Sequence, residues 1–261
     1  MIRAPAYLAT FLTLALGTVA GAQQMHGWSA ELPVMILPGE IPGPMFINGI
    51  PDQGFDSEWE WMALVCREKC ELEPTQLLMT GVQVQPHDGE ALPGQVYTLE
   101  SKLDAPPLVL LRGLPTGVRS RPRTYLHAAL GKYPPSTTQG TLEIDIPVPG
   151  EPARIVPRYV RRENNAPLLN VYLETKTQRQ LLGGMAVDGI GGPSAMARGP
   201  QLLRWAGDLD GDDKLDLIVT ITSRYGEEAT VTLFLSSLAK PGDLVGMAGH
   251  FRYWPVENPG C

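Results

Sequence analysis

The chain has 261 residues, 43% of them hydrophobic and 19% charged, with 28 Gly and 25 Pro. That length supports one large or two ordinary buried cores, and Gly plus Pro at about a fifth of the chain marks a turn-rich fold rather than a helical bundle, a collagen or a disordered polymer. Acidic residues outnumber basic ones 28 to 21, which excludes a general nucleic-acid binder, because phosphate counterions are displaced only by a positive field.

Residues 1–22 read as a signal peptide. Arg3 supplies the positive start, Ala6 to Val19 is apolar, and Ala20-Gly21-Ala22 is a small-x-small cleavage pattern. A membrane anchor needs about 20 apolar residues, and this run is shorter. No Cys follows it for lipid attachment, and nothing later in the chain is long and apolar enough to span a bilayer. The expectation is a periplasmic or secreted protein, not membrane-spanning, whose mature chain starts near Gln23.

Residues 23–58 are dense in Pro and Gly, with Pro33, Pro38, Pro42, Pro44 and Pro51 interrupting any regular element. They read as an extended arm packed by Trp28, Ile36 and Phe46. From residue 59 to 182 the chain turns to short runs of Val, Leu, Thr and Tyr bounded by turn residues, the pattern of strands. Such runs are Glu60 to Val65, Gln76 to Gln85, Gln95 to Leu103, Leu108 to Leu111, Thr141 to Ile146, Arg154 to Arg161, and Leu168 to Thr175. In Thr141-Leu142-Glu143-Ile144-Asp145-Ile146 apolar and polar residues alternate, as in an antiparallel strand with one buried face. Thr124 to Lys132 is the best helix candidate, about two turns ending at Gly131. Residues 183–200, with six glycines, read as a surface loop leading to a carboxyl-terminal β region at 201–261. The fold class is therefore mainly β, with antiparallel sheets in a sandwich-like or irregular barrel arrangement and few short helices.

An exported chain reaches an oxidising compartment, where Cys66, Cys70 and Cys261 form at most one intramolecular disulfide. Two pairings are open: Cys66 with Cys70, stapling a hairpin across Arg67-Glu68-Lys69, or Cys261 tying the carboxyl end back to one of them. A metal-ligand or redox-active role is disfavoured because the Cys-x-x-Cys spacing is absent.

One segment carries a chemical signal: Asp208-Leu209-Asp210-Gly211-Asp212-Asp213-Lys214-Leu215-Asp216. Carboxylates at relative positions 1, 3, 5 and 9, with a backbone carbonyl at position 7, place oxygens around a hard cation such as Ca²⁺. Five Asp with a single Lys repel one another when the turn is compact, by about 1 kcal/mol per solvated pair at 4 to 6 Å. The bidentate Glu of an EF-hand is missing, since Val219 stands at position 12 and a strand-like run, Leu217-Ile218-Val219-Thr220-Ile221-Thr222, begins at once. The loop thus joins strand to strand.

In this respect Trp205 to Val219 resembles the calcium loops of FG-GAP and VCBS type found in secreted and surface proteins, over about 15 residues and in a single copy. The resemblance implies a structural Ca²⁺ held by Asp208, Asp210, Asp212, the Lys214 carbonyl and Asp216. It departs at the sixth position, usually Gly and here Asp213, where the turn asks for positive φ.

Hydrolase signatures are weak. His26, His87, His127 and His250 are scattered, Ser194 lacks the Gly-x-Ser-x-Gly setting, and Ser237-Leu238-Ala239-Lys240 matches Ser-x-x-Lys without the helix that motif needs. Arg119-Arg121-Arg123 and Arg158-Arg161-Arg162 read as solvated strand edges or as an anionic-polymer or lipid patch. Trp59 and Trp61 share a strand face, as core or as an aromatic platform. The expected function is an exported, calcium-stabilised β-rich binding or scaffold protein whose partner is unidentified, an envelope glycan or protein being candidates. The alternatives are an exported hydrolase whose site is assembled from distant residues, and an envelope module binding anionic glycan or lipid.

Overall fold

The structure is a computed structural model and describes residues 32–39, 45–47, 60–81, 95–115, 118–127, 136–138, 141–162, 165–186, 202–222 and 229–255. Residues 1–22, read from sequence as a signal peptide, and His26, Trp28, Trp59, His87, Ser194 and Cys261 lie outside the described residues. In chain order the strands are β1 (Met35–Pro38), β2 (Met45–Ile47), β3 (Trp61–Cys66), β4 (Cys70–Thr75), β5 (Leu77–Gly81), β6 (Gln95–Ser101), β7 (Val109–Arg112) and β8 (Arg123–His127). They continue with β9 (Ser136–Thr138), β10 (Thr141–Ile146), β11 (Ala153–Arg162), β12 (Asn165–Glu174), β13 (Arg179–Ala186), β14 (Leu203–Asp208), β15 (Asp216–Thr222), β16 (Ala229–Leu235) and β17 (Gly246–Pro255). A 3-10 turn, Ser236–Leu238, follows β16. The protein is mainly β, and every strand pairing is antiparallel.

The strands form three sheets, ordered β1-β7-β3-β4, β13-β12-β11-β10-β9 and β5-β6-β2-β17-β16-β15-β14-β8, with no closed barrel among the described residues. The eight-stranded sheet lies in the middle. Its Trp205, Ile218, Val231, Leu233 and Phe251 pack with Ile36, Trp61, Leu64 and Leu110 of the four-stranded sheet. Its opposite face, through Leu203, Ala206, Leu217, Val219 and Phe234, packs with Ile144, Ile155, Val171 and Leu173 of the five-stranded sheet. Residues one apart on β14 and β15 therefore enter different cores, which explains the consecutive apolar residues Leu217-Ile218-Val219 of β15: a strand buried on both faces has no wet side to alternate with. Gln180 of β13 fastens the outer layer to the loop before β17, accepting from Leu244 N at 2.7 Å and Val245 N at 3.0 Å while donating to the Val245 carbonyl at 2.7 Å.

Three expectations shift. The helix read at Thr124 to Lys132 is not formed over its first residues, because Arg123–His127 is β8, paired along β14 with Trp205 opposite His127. The central sheet supplies an edge there, and its hydrogen bonds outweigh the helical propensity of the following Ala-Ala-Leu. The Pro-rich stretch, read as an extended arm or loop whose prolines break regular elements, contributes two short strands: β1 pairs with β7, and β2 is inserted between β6 and β17. Gly183 and Gly184 lie within β13 rather than in a loop. A Cβ on Gly184 would meet the Asn170 amide oxygen and the Leu169 carbonyl, so glycine is there for close approach to β12.

Cys66 and Cys70 face each other across the β3–β4 hairpin and form a disulfide, with Cα atoms 4.0 Å apart. A loop this short yields about 2 kcal/mol in the chain-entropy account, the low end for disulfides. Trp61 is fully buried, which makes it core and not a surface platform.

Candidate cation site

The acidic loop connects β14 to β15, and Gly207 pairs with Asp216 at the mouth of that hairpin. Asp208 and Asp216 are completely buried. Leu209 drops into the core shared with the four-stranded sheet and so holds the first acidic residues down against the protein. Two residues with positive φ reverse the chain, Gly211 at 82° and Asp213 at 63°. The left-handed geometry anticipated for Asp213 is adopted, and its carboxylate turns outward to Arg123 at 3.1 Å.

Backbone donors use most of the buried carboxylate oxygens. Asp216 Oδ2 accepts from Leu209 N at 2.7 Å and Asp210 N at 3.3 Å, and its Oδ1 accepts from Ser236 N at 2.8 Å. Asp208 Oδ1 accepts from Gly211 N at 2.7 Å, and Asp210 Oδ2 from Ser237 Oγ. Two oxygens remain buried with no donor among the described residues: Asp208 Oδ2 and Asp210 Oδ1. A buried carboxylate oxygen left unpaired is costly.

Asp208, Asp210 and Asp216 each bring one oxygen within 4.8 Å of the others. Oxygens bound at 2.3–2.6 Å on opposite sides of one Ca²⁺ stand about 4.6–5.2 Å apart, so this spacing suits that ion. Burial pushes the Asp216 carboxyl up to about 7, assisted by the negative charge of Asp210 and opposed by the backbone donors. The pocket therefore disfavours its own negative charge in the absence of a cation.

Of the other sequence-derived ligands, Asp212 stands one step away. Its carboxylate rests on Ser236 Oγ at 2.9 and 3.0 Å, accepts from Lys214 N at 2.9 Å, and has Lys214 Nζ at 3.7 Å. Ser236 Oγ also lies 3.0 Å from Asp216 Oδ1. One hydroxyl proton serves only one of these acceptors at a time, so the oxygens around Ser236 outnumber their donors.

Ser236 and Ser237 shape the site without any local sequence signal, because they sit on the turn after β16, at least 20 residues from the carboxylates they touch. The first arginine group braces the loop from outside or pairs nearby: Arg119 donates to the Gly211 carbonyl at 3.4 Å, Arg123 pairs with Asp213, and Arg121 with Glu71 at 2.9 Å. In the second group Arg158 pairs with Glu143 at 3.3 Å, beside Arg154 on the same carboxylate at 2.9 Å. Among the described residues no helix is long and apolar enough to cross a membrane. No family model matches the chain, and comparison with curated proteins and with solved structures found no match.

Proposed function

We propose that the protein is an exported, calcium-stabilised β-rich binding or scaffold protein, with one structural Ca²⁺ on the β14–β15 loop. The observation that carries this reading is the pair of buried carboxylate oxygens without donors, Asp208 Oδ2 and Asp210 Oδ1, beside the fully buried Asp216. A divalent cation supplies what those oxygens lack and offsets the mutual repulsion of the loop. Asp208, Asp210 and Asp216 form the core of the ligand set, with Asp212 and the Lys214 carbonyl completing it by spacing. The ion links β14, β15 and, through Ser236 and Ser237, the end of β16. These are the strands that meet both outer sheets, so the cation acts on stability and not on a bound substrate. The Cys66–Cys70 disulfide is compatible with an oxidising compartment and supports the export reading.

Isothermal titration of chelator-treated protein with CaCl₂ tests the proposal. The expected result is one site per chain, weakened severely in Asp208→Asn and bound less well by Mg²⁺, which tolerates irregular all-protein shells poorly. Absence of heat and of any thermal stabilisation at several millimolar Ca²⁺ would overturn it.

A further inference from the structure

We infer that Cys66, Cys70 and His127 form a redox-gated site for a thiophilic cation, closed while the cysteines are joined and open to Zn²⁺ or a similar ion when they are reduced. One nitrogen of His127 and the two sulfurs lie within 4.8 Å of one another. The donors come from different layers. Cys66 and Cys70 belong to the hairpin of the four-stranded sheet, and His127 ends β8 at the edge of the central sheet. His127 is only 7% exposed, and its Nδ1 is buried with no hydrogen-bond partner among the described residues. A buried imidazole nitrogen normally finds a partner, and here the neighbouring sulfurs of an intact disulfide offer only weak acceptors.

The disulfide is also redundant as a staple. It closes the shortest of loops at the end of a hairpin that already pairs continuously from Trp61 opposite Thr75 to Cys66 opposite Cys70, so the chain entropy it removes is small. Two thiolates and an imidazole are, in contrast, a ligand set for Zn²⁺, with a fourth position left to water. Tetrahedral Zn–S bonds of 2.3 Å require sulfurs about 3.8 Å apart. Cysteines facing each other with Cα atoms 4.0 Å apart reach that separation by side-chain rotation alone.

The chemistry balances with a dithiol as reductant. The protein disulfide takes two electrons and two protons from the dithiol, which becomes a disulfide, and the Cys66–Cys70 bond opens to two thiols. Binding of Zn²⁺ then releases those two protons to solvent and leaves both thiolates and the neutral His127 on the metal. In the reverse direction a disulfide serves as oxidant: it takes two electrons from the Cys66 and Cys70 thiolates and two protons from solvent to become a dithiol. The Cys66–Cys70 bond re-forms, both Zn–S bonds break, and Zn²⁺ leaves to solvent.

The test uses the full chain and its Cys261→Ser variant, the latter so that Cys66 and Cys70 are the only thiols. Each is titrated with Co²⁺ as a spectroscopic substitute for Zn²⁺, before and after reduction by a phosphine. The thiolate-to-cobalt charge-transfer band reports sulfur ligation and is blind to the carboxylate loop. The reduced protein is expected to develop the band to one equivalent, the oxidised protein to show none, and Zn²⁺ to abolish it by displacement. His127→Asn should lose most of the band at the same Co²⁺ concentration. Because that variant removes a buried group, alkylation of reduced wild-type protein is measured alongside. Zn²⁺ should slow iodoacetamide labelling of Cys66 at least tenfold. Reduced protein that shows no band, or a full band with His127→Asn, or labelling unaffected by Zn²⁺, overturns the inference.

Discussion

Leu209 donates its backbone N–H to Asp216 Oδ2 at 2.7 Å, so the second residue of the acidic loop is tied to its last. Both are completely buried, and the contact closes residues 209–216 into a ring that contains Asp210 and Asp212. The loop is thereby shaped by its backbone, while Asp208 Oδ2 and Asp210 Oδ1 are buried with no donor among the described residues.

Removing one of those oxygens separates calcium affinity from folding. Asp210→Ala is expected to lose most of its calcium-dependent stabilisation. In the wild type that stabilisation is about 2.7 kcal/mol at a Ca²⁺ concentration about 100 times Kd, several degrees of Tm for a domain of this size. The calcium-free Tm of the variant should be unchanged or slightly higher, because repulsion with Asp216 is relieved. Thermal melts in chelator and in millimolar Ca²⁺ check both halves, and a variant that keeps the full calcium shift refutes the assignment of Asp210.

Ser236→Ala removes the hydroxyl shared by Asp212 and Asp216 but keeps the backbone donor to Asp216 Oδ1. The cost in chelator is expected to be about 1 kcal/mol, the ordinary worth of a hydrogen bond to a charged acceptor with a second donor retained. Urea unfolding midpoints measure it. An unchanged midpoint would show that the hydroxyl contributes nothing.

The proposed calcium site implies that proton and calcium compete for Asp216. Its carboxyl in the metal-free fold is raised to about 7 by burial, so below that pH the ion must displace a proton that the unfolded chain, with its ordinary carboxyl, does not hold. The calcium-induced rise in Tm should therefore be largest near pH 8 and shrink as pH falls through 7, by up to about tenfold in affinity per pH unit. The buried His127 and the half-buried His250, whose imidazoles burial pushes down, weaken the fold in acid with and without calcium, and so cancel in the difference. A calcium shift that is flat from pH 8 to 5.5 would falsify this coupling.

Gly207 precedes the loop, and a Cβ there would overlap the Arg123 carbonyl and the Trp205 ring. Gly207→Ala should cost about 3 kcal/mol, as overpacking of a rigid site does. It should also weaken calcium binding, since Gly207 is the strand partner of Asp216. A melt and a titration on the same sample test the pair of effects, and a variant as stable as wild type would mean that β8 yields without cost.

What was legible in the sequence depends on how local the cause is. β10 matches its expected run from Thr141 to Ile146 end to end, and β3, β7 and β11 fall within one residue, because alternation and β-branched residues mark a strand wherever it pairs. The spacing of Asp208, Asp210 and Asp216 was likewise readable, being set within one turn. β8 was not, because Thr124 to His127 carries no strong preference of its own and takes its form from β14. Ser236 and Ser237 escaped for the same reason, since only the folded hairpin pair β15–β16 brings them to the acids. The three-layer stacking also has no local mark: the run from Leu217 to Thr222 announces burial on both faces but not which sheets cover it. His127 beside the disulfide is a further product of sheet stacking.

The insertion of β2 between β6 and β17, with Phe46 opposite Trp254, bears on when the molecule can form. A strand near the amino end and one near the carboxyl end are adjacent in the central layer, so the middle sheet stays incomplete until almost the whole polypeptide has emerged. Such distant pairing makes assembly slow. That delay leaves the β2–β6 pair, made early, without its neighbour in the sheet until β17 follows, so the last of the described strands to be synthesised is the one that completes the central layer.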